Sequence, residues 1–214
     1  MNGKSDQVLP LVMAFLTLTF LVAKQVVRPL DLATTIWIQQ FATKELDIGL
    51  SIFTLLGSIE FSCFALLLVC WYFYRHYRWS GAFLYLFFFA ALSLVELIWK
   101  HIVSYTGPAH EFDRNPFHWG FIFVKTPYSF PSGLTFRSIF LLGIWHQWLN
   151  RFGVHRPKSA WTQKALIACL AFGVGFSRIY LGDHWLSDVI GGILLALIGL
   201  ELASKPQEPE FRPA

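Results

Sequence analysis

Six apolar blocks separated by short polar stretches occupy most of this chain: Leu9–Val27, Ile48–Phe73, Gly81–Trp99, Ser132–Leu149, Ala165–Ile179 and Trp185–Leu202. A helix needs about 20 apolar residues to cross the hydrocarbon of a bilayer, and the blocks reach or approach that length. None shows the alternation of a membrane β-strand, and in lipid only helices or closed barrels satisfy their own backbone. The pattern predicts an all-α polytopic membrane protein, a bundle of six transmembrane helices. The fifth block is short because Ser177-Arg178 marks where it leaves the lipid. Lys4 precedes the first block as it would a signal peptide. That block is nevertheless longer than a signal's apolar region, and no small-residue cleavage site follows it.

Composition agrees with this reading. Of 214 residues, 55% are hydrophobic, 18% aromatic and 14% charged, against about a quarter charged in a soluble domain. Cys63, Cys70 and Cys169 all fall inside apolar blocks, so no disulfide framework is implied. Basic residues set the orientation. With the amino terminus in the cytoplasm, the inner segments hold Lys4, Arg75, Arg78, Arg151, Arg156, Lys158, Lys164, Lys205 and Arg212. The outer side has Arg28, Lys44, Lys100, Arg114, Lys125, Arg137 and Arg178, two of which, Lys100 and Arg178, are better explained as site residues. The bias places the site on the outer face of a membrane, in a compact chain that suits a bacterial inner membrane. The net charge of +4 then reflects topology. No basic run is interleaved with aromatics, which argues against a nucleic-acid partner.

There is no internal repeat and no linker, so residues 1–203 are expected to form a single domain. The polar, Pro-rich stretch 204–214 reads as a disordered tail. The loop from about Lys100 to Pro131 contains Gly107-Pro108, Asn115-Pro116, three histidines and several aromatics. It is too apolar for a solvated coil, and is expected to pack over the outer mouth of the bundle and supply site residues.

The chemistry concentrates in Ser177-Arg178-Ile179-Tyr180-Leu181-Gly182-Asp183-His184-Trp185-Leu186-Ser187-Asp188. On the first turns of a helix, His184 and Asp188 would share one face. The carboxylate can then accept a hydrogen bond from the imidazole and leave the other ring nitrogen free to attack. Arg178, in the turn leading into that helix, can hold an anion against that nitrogen. Such a set is built for phosphoryl transfer.

A second constellation lies at Tyr128-Ser129-Phe130-Pro131-Ser132-Gly133-Leu134, an extended turn running into a helix start. Ser132 is a good N-cap and Gly133 allows close backbone approach. The free amides of such a start make an anion site. Lys100, at the outer end of the third helix, adds a point charge, and Glu96 one turn below is placed to orient it.

Together these residues resemble the type 2 phosphatidic acid phosphatase superfamily of integral membrane lipid phosphatases. That family is marked by K-x6-R-P, P-S-G-H and S-R-x5-H-x3-D. The third motif is complete as Ser177, Arg178, His184 and Asp188. The resemblance runs from about the second helix to the last. It implies that His184 attacks phosphorus and becomes a phosphohistidine while Asp188 fixes its tautomer. Arg178, Lys100 and the amides near Ser132 and Gly133 would bind the phosphoryl oxygens, with no metal and no cofactor. Two positions depart from the pattern. Gly107 stands where the first motif has its arginine, which in the family helps bind phosphate; Leu134 stands where the second has its histidine, which in the family protonates the leaving oxygen.

The missing acid shapes three readings. In the first, the substrate is a lipid diphosphate such as a polyprenyl diphosphate, whose leaving group needs least protonation. In the second, another side chain compensates: His101, His110 or His118 from the outer loop for the acid, and Arg114 or Arg137 for the arginine. Arg137 is three residues past Leu134 and so on nearly the same helical face. In the third, the chain binds a phosphorylated lipid without turnover; a lipid phosphotransferase would share the first half-reaction. Elsewhere, Glu60 inside the second helix reads as neutral or bonded to a neighbour. His146 and Trp148 read as an interfacial anchor. Gly173, Gly175, Gly191 and Gly192 are expected to let the last two helices approach closely.

Overall fold

The first apolar block ends in a sharp turn, and the second is broken by backbone geometry that hydrophobicity does not register. The computed structural model describes residues 5–77, 82–117, 126–152 and 157–204. Among these, α1 (Ser5–Ala23) ends in a turn where Gln25 takes a positive φ of 57°, and α2 (Arg28–Gln39) leaves at 90° to it. Pro29 sits in the first turn of α2, where a missing N–H costs nothing. The second block divides into α3 (Lys44–Ser51), α4 (Phe53–Gly57) and α5 (Ile59–Tyr77), with an extended Ser58 (ψ 148°) separating α4 from α5. The bend there is 51°. Glu60 is therefore in the first turn of α5, at the mouth, not deep in a span.

Four long helices follow: α6 (Ala82–Val103), α7 (Gly133–Phe152), α8 (Pro157–Tyr180) and α9 (Leu186–Ala203). The described residues contain no strand, only an isolated antiparallel bridge between Thr106 and Tyr128. The protein is thus all-α. Among the described residues, by length and composition, α6 and α9 can each cross a bilayer, and up to four spans result if each bent pair counts as one. Hydropathy over the described helix bounds thus supports two to four of the six expected spans. α7, for example, carries Arg137, His146 and Gln147, which lower its apolar average.

α9 is the hub, packing on α7, α1, α6, α8 and α2. Its glycines admit α6 and the start of α7 closely. A Cβ on Gly191 would overlap the Phe130 ring, one on Gly192 the Ser132 carbonyl, and one on Gly199 the side chains of Leu92 and Phe140. In lipid, where apolar burial alone does not drive helix association, such close approach supplies the van der Waals contact. The expectation for the glycines needs correction. Only Gly175, against Val189, lies between the last two helices, whereas Gly173 faces Phe53 of α4, and Gly191 and Gly192 bring α9 onto the start of α7.

The up-and-down path brings the end of α6, the start of α7, the end of α8 and the start of α9 to one end of the bundle. α2 and the loop after α6 close over that end. Gln39 Nε2 donates to the carbonyls of Phe112 (2.8 Å) and Tyr180 (2.9 Å), tying α2 to that loop and to the end of α8. The Arg28 guanidinium lies 4.5 Å from the Trp185 ring centroid and donates to the Thr106 carbonyl at 3.1 Å.

Candidate active site

The turn joining α8 to α9 is built around Gly182, whose φ of +74° an L side chain rarely adopts. A Cβ there would also strike the Phe112 carbonyl. The backbone N–H groups of Asp183 and His184 both donate to the Arg178 carbonyl, at 3.1 and 3.2 Å. This folds the nucleophile candidate back over the end of α8. His184 is thus not on the helix as the four-residue spacing suggested; it stands two residues before α9, in the turn. Asp188 is at N3 of α9. Its Oδ2 accepts from the Trp185 N–H at 2.9 Å, closing the helix start, and lies 3.4 Å from His184 Nδ1. The carboxylate is fully buried, the imidazole 15% exposed. One carboxylate therefore caps the helix and faces the imidazole, an arrangement reached through the cap and not through two helical faces.

Arg178 lies in the last turn of α8, not in the turn beyond it, and is 2% exposed. Its Nη1 pairs with Asp183 Oδ2 at 2.7 Å and its Nη2 donates to Thr54 Oγ1 at 2.6 Å. Asp183 also accepts from Asn115 Nδ2 at 3.1 Å, which fastens the outer loop to the same ion pair. Sequence reading missed both partners. Asp183 was visible beside His184; Thr54 is 124 positions away and left no sequence signal.

Lys100 Nζ pairs with Glu96 Oε1 at 2.9 Å, the orienting contact expected from their spacing. Glu96 does more than that. Its Oε2 is 3.9 Å from Arg137 Nη1, and its carboxylate fills the space beside Gly133 at the start of α7, where an added Cβ would come within 2.5 Å of Oε1. Glu96 is 2% exposed, Lys100 12% and Arg137 14%. The structure thus joins Lys100, Gly133 and the compensating candidate Arg137 around one buried carboxylate. Ser132 caps α7, its Oγ accepting from the Thr135 N–H at 3.3 Å. Its own N–H is taken by the Asp188 carbonyl at 3.0 Å, so this amide is not free for an anion and instead locks the start of α7 to the start of α9.

The other described candidates, Arg114, His101 and His110, make different contacts. Arg114 is clamped in two hydrogen bonds by Asp47, at 3.1 and 2.9 Å, and these bonds push its pKa above the ordinary arginine value. His101 is exposed with its ring edge-on to Tyr128, and the exposed His110 opens a 3-10 turn, His110–Phe112. His118 lies outside the described residues. Leu134 packs on Gly57, and Gly107 lies against the Ser129 side chain.

One buried carboxylate of this region was not anticipated. Asp31, on α2, is 1% exposed. Its Oδ1 accepts from the Ser187 N–H at 2.9 Å, and its Oδ2 from Ser187 Oγ at 2.6 Å and Tyr105 OH at 2.9 Å. The signal available was Arg28-Pro29-Leu30-Asp31, a proline at a helix start with an acid in the first turn. Among the described residues, no three His, Cys, Asp or Glu side chains are grouped to hold a metal ion. The positive groups at this end are guanidinium and ammonium, suited to the oxygens of a phosphoryl group.

A family model described as the PAP2 superfamily matches residues 81–205. No curated protein sequence matches the chain. Among solved structures, the fold is similar to a transmembrane PAP2-type phosphatidylglycerolphosphate phosphatase from Bacillus subtilis, with a TM-score of 0.76 and 21% identity over 92% of this chain and 93% of that one. It is also similar to LpxE from Aquifex aeolicus, with a TM-score of 0.60 and 22% identity over 83% of this chain and 96% of that one. At these identities the two structures speak to the fold.

Proposed function

The chain belongs to the PAP2 superfamily, and on that premise we propose that it is an integral membrane lipid phosphatase that works through a phosphohistidine on His184 and prefers a lipid diphosphate. What supports this reading is His184 facing the buried Asp188 at 3.4 Å beside Arg178, with Lys100 and Arg137 gathered on Glu96 and leucine at position 134.

With Nδ1–H directed at Asp188, His184 presents the Nε2 lone pair. Nε2 attacks phosphorus in line, the N–P bond forms, and the bond to the leaving oxygen breaks as that oxygen takes the electron pair. Asp188 stabilises the imidazolium character that develops. Arg178, Lys100 and the Gly133 amide hold the phosphoryl oxygens, and Arg137 takes the part of the arginine that Gly107 replaces. Water then attacks phosphorus, the P–N bond breaks back to Nε2, and inorganic phosphate leaves with the water's oxygen.

The leaving group decides the substrate. An alkoxide leaving from a lipid monoester has a conjugate-acid pKa on the order of 15, near that of water, whereas a phosphate leaving group has a second pKa of about 6. General-acid assistance is worth roughly a hundred- to ten-thousandfold. A site without the motif-two histidine loses least on a diphosphate, for instance a polyprenyl diphosphate facing the outside of a bacterial inner membrane. The test is phosphate release by the purified chain from farnesyl diphosphate and from phosphatidic acid, with His184→Ala as the blank. Faster turnover of the diphosphate is expected; preference for the monoester overturns the substrate assignment, and an active His184→Ala overturns the nucleophile.

A further inference from the structure

We propose that Asp31 is a positioning residue for the His184 and Asp188 pair, acting through Ser187 on the first turn of α9; this rests on the reading of His184 as nucleophile. The first N–H groups of a helix have no partner within it. At α9 two of them are met by carboxylates: Trp185 N–H by Asp188 at 2.9 Å, and Ser187 N–H by Asp31 at 2.9 Å. Asp31 then adds the Ser187 hydroxyl at 2.6 Å and the Tyr105 hydroxyl at 2.9 Å, so that three donors from two elements converge on one carboxylate. Ser187 is the residue next to Asp188, and one turn of helix cannot move one without the other.

That grip matters because the contact it protects is marginal. Asp188 Oδ2 lies 3.4 Å from His184 Nδ1, at the long edge of hydrogen-bond geometry, so a small displacement of the first turn breaks it. A buried carboxylate is also costly unless its bonds are satisfied, and apolar replacements of buried ionic groups are often neutral for stability. Three directed bonds in place of an apolar contact between α2 and α9 therefore specify position more than they add stability. Asp31 is 1% exposed and both its oxygens are taken by protein donors, so it reaches the reaction only through Ser187. Misplacement of a reacting group by about 1 Å can cost roughly a hundredfold in rate.

The experiment compares the full chain in detergent with Asp31→Asn, Ser187→Ala, Tyr105→Phe and His184→Ala, reading kcat and KM on farnesyl diphosphate, together with the melting temperature. Asp31→Asn is expected to lower kcat about tenfold or more with KM unchanged, because the amide turns a donor toward a site that must accept. Ser187→Ala and Tyr105→Phe each remove one bond to an intact charge, and should lower kcat by smaller factors, again at constant KM. If Asp31→Asn does not fold, those two variants decide. A melting temperature that falls while kcat stays at the wild-type value in every folded variant overturns the positioning role and leaves the nucleophile reading standing. Wild-type turnover in His184→Ala overturns both.

Discussion

Arg137 and Arg178 come from different helices, yet both grip the five-residue α4 three residues apart. Arg178 Nη2 donates to Thr54 Oγ1 at 2.6 Å and Arg137 Nε to the Gly57 carbonyl at 2.8 Å. Residues at that spacing are neighbours on a helix surface. α4 therefore anchors both guanidinium groups, one through the Thr54 side chain and one through the Gly57 carbonyl, with Leu134 packed on the same Gly57.

The pairing predicts unequal losses. Arg178→Ala should reduce kcat/KM by about a hundredfold or more, the scale of removing a donor to developing charge. Arg137→Ala should cost less, and chiefly in KM, since its partner Glu96 already engages Lys100. Steady-state phosphate release on a lipid diphosphate measures both. Equal, negligible effects at Arg137 would remove it from the phosphate site.

Asp188→Asn keeps size and can keep the cap to Trp185, but allows the wrong imidazole tautomer. kcat should fall roughly a hundred- to ten-thousandfold with the fold retained. Circular dichroism and single-turnover phosphoryl trapping on His184 would separate chemistry from folding.

Gly133→Ala places a methyl group within 2.5 Å of Glu96 Oε1. Glu96 is held by Lys100 at 2.9 Å and cannot retreat without breaking that pair. The substitution should destabilise by about 1–3 kcal/mol, as overpacking does, and raise KM. Thermal unfolding and KM on one preparation provide the check.

Gly182→Ala meets two obstacles, a φ of +74° and the Phe112 carbonyl. Left-handed strain in a non-glycine residue costs on the order of 1–3 kcal/mol, and the turn it distorts carries His184 two residues on. A lower melting temperature together with reduced kcat is expected. Unchanged kcat would show that the loop relaxes without moving the imidazole.

The apolar blocks specified long helices because lipid leaves the backbone few alternatives, and local order along the chain specified which helix ends meet. Motif spacing likewise put Ser177, Arg178, His184 and Asp188 within one connection, since residues that close in sequence cannot separate far. Lys100 with Glu96 was legible for the same reason, one turn of helix. Tertiary structure decided everything that depends on distant partners. It turned α2 at 90° to α1, so that Asp31 reaches Ser187 across 156 positions. It broke the second block to make α4, a platform for two arginines. It spent the Ser132 amide on the Asp188 carbonyl and set Glu96 between Lys100 and Arg137. Hydropathy and spacing record how residues face along one element; which buried polar group answers another is fixed only when the elements pack and each must find a partner.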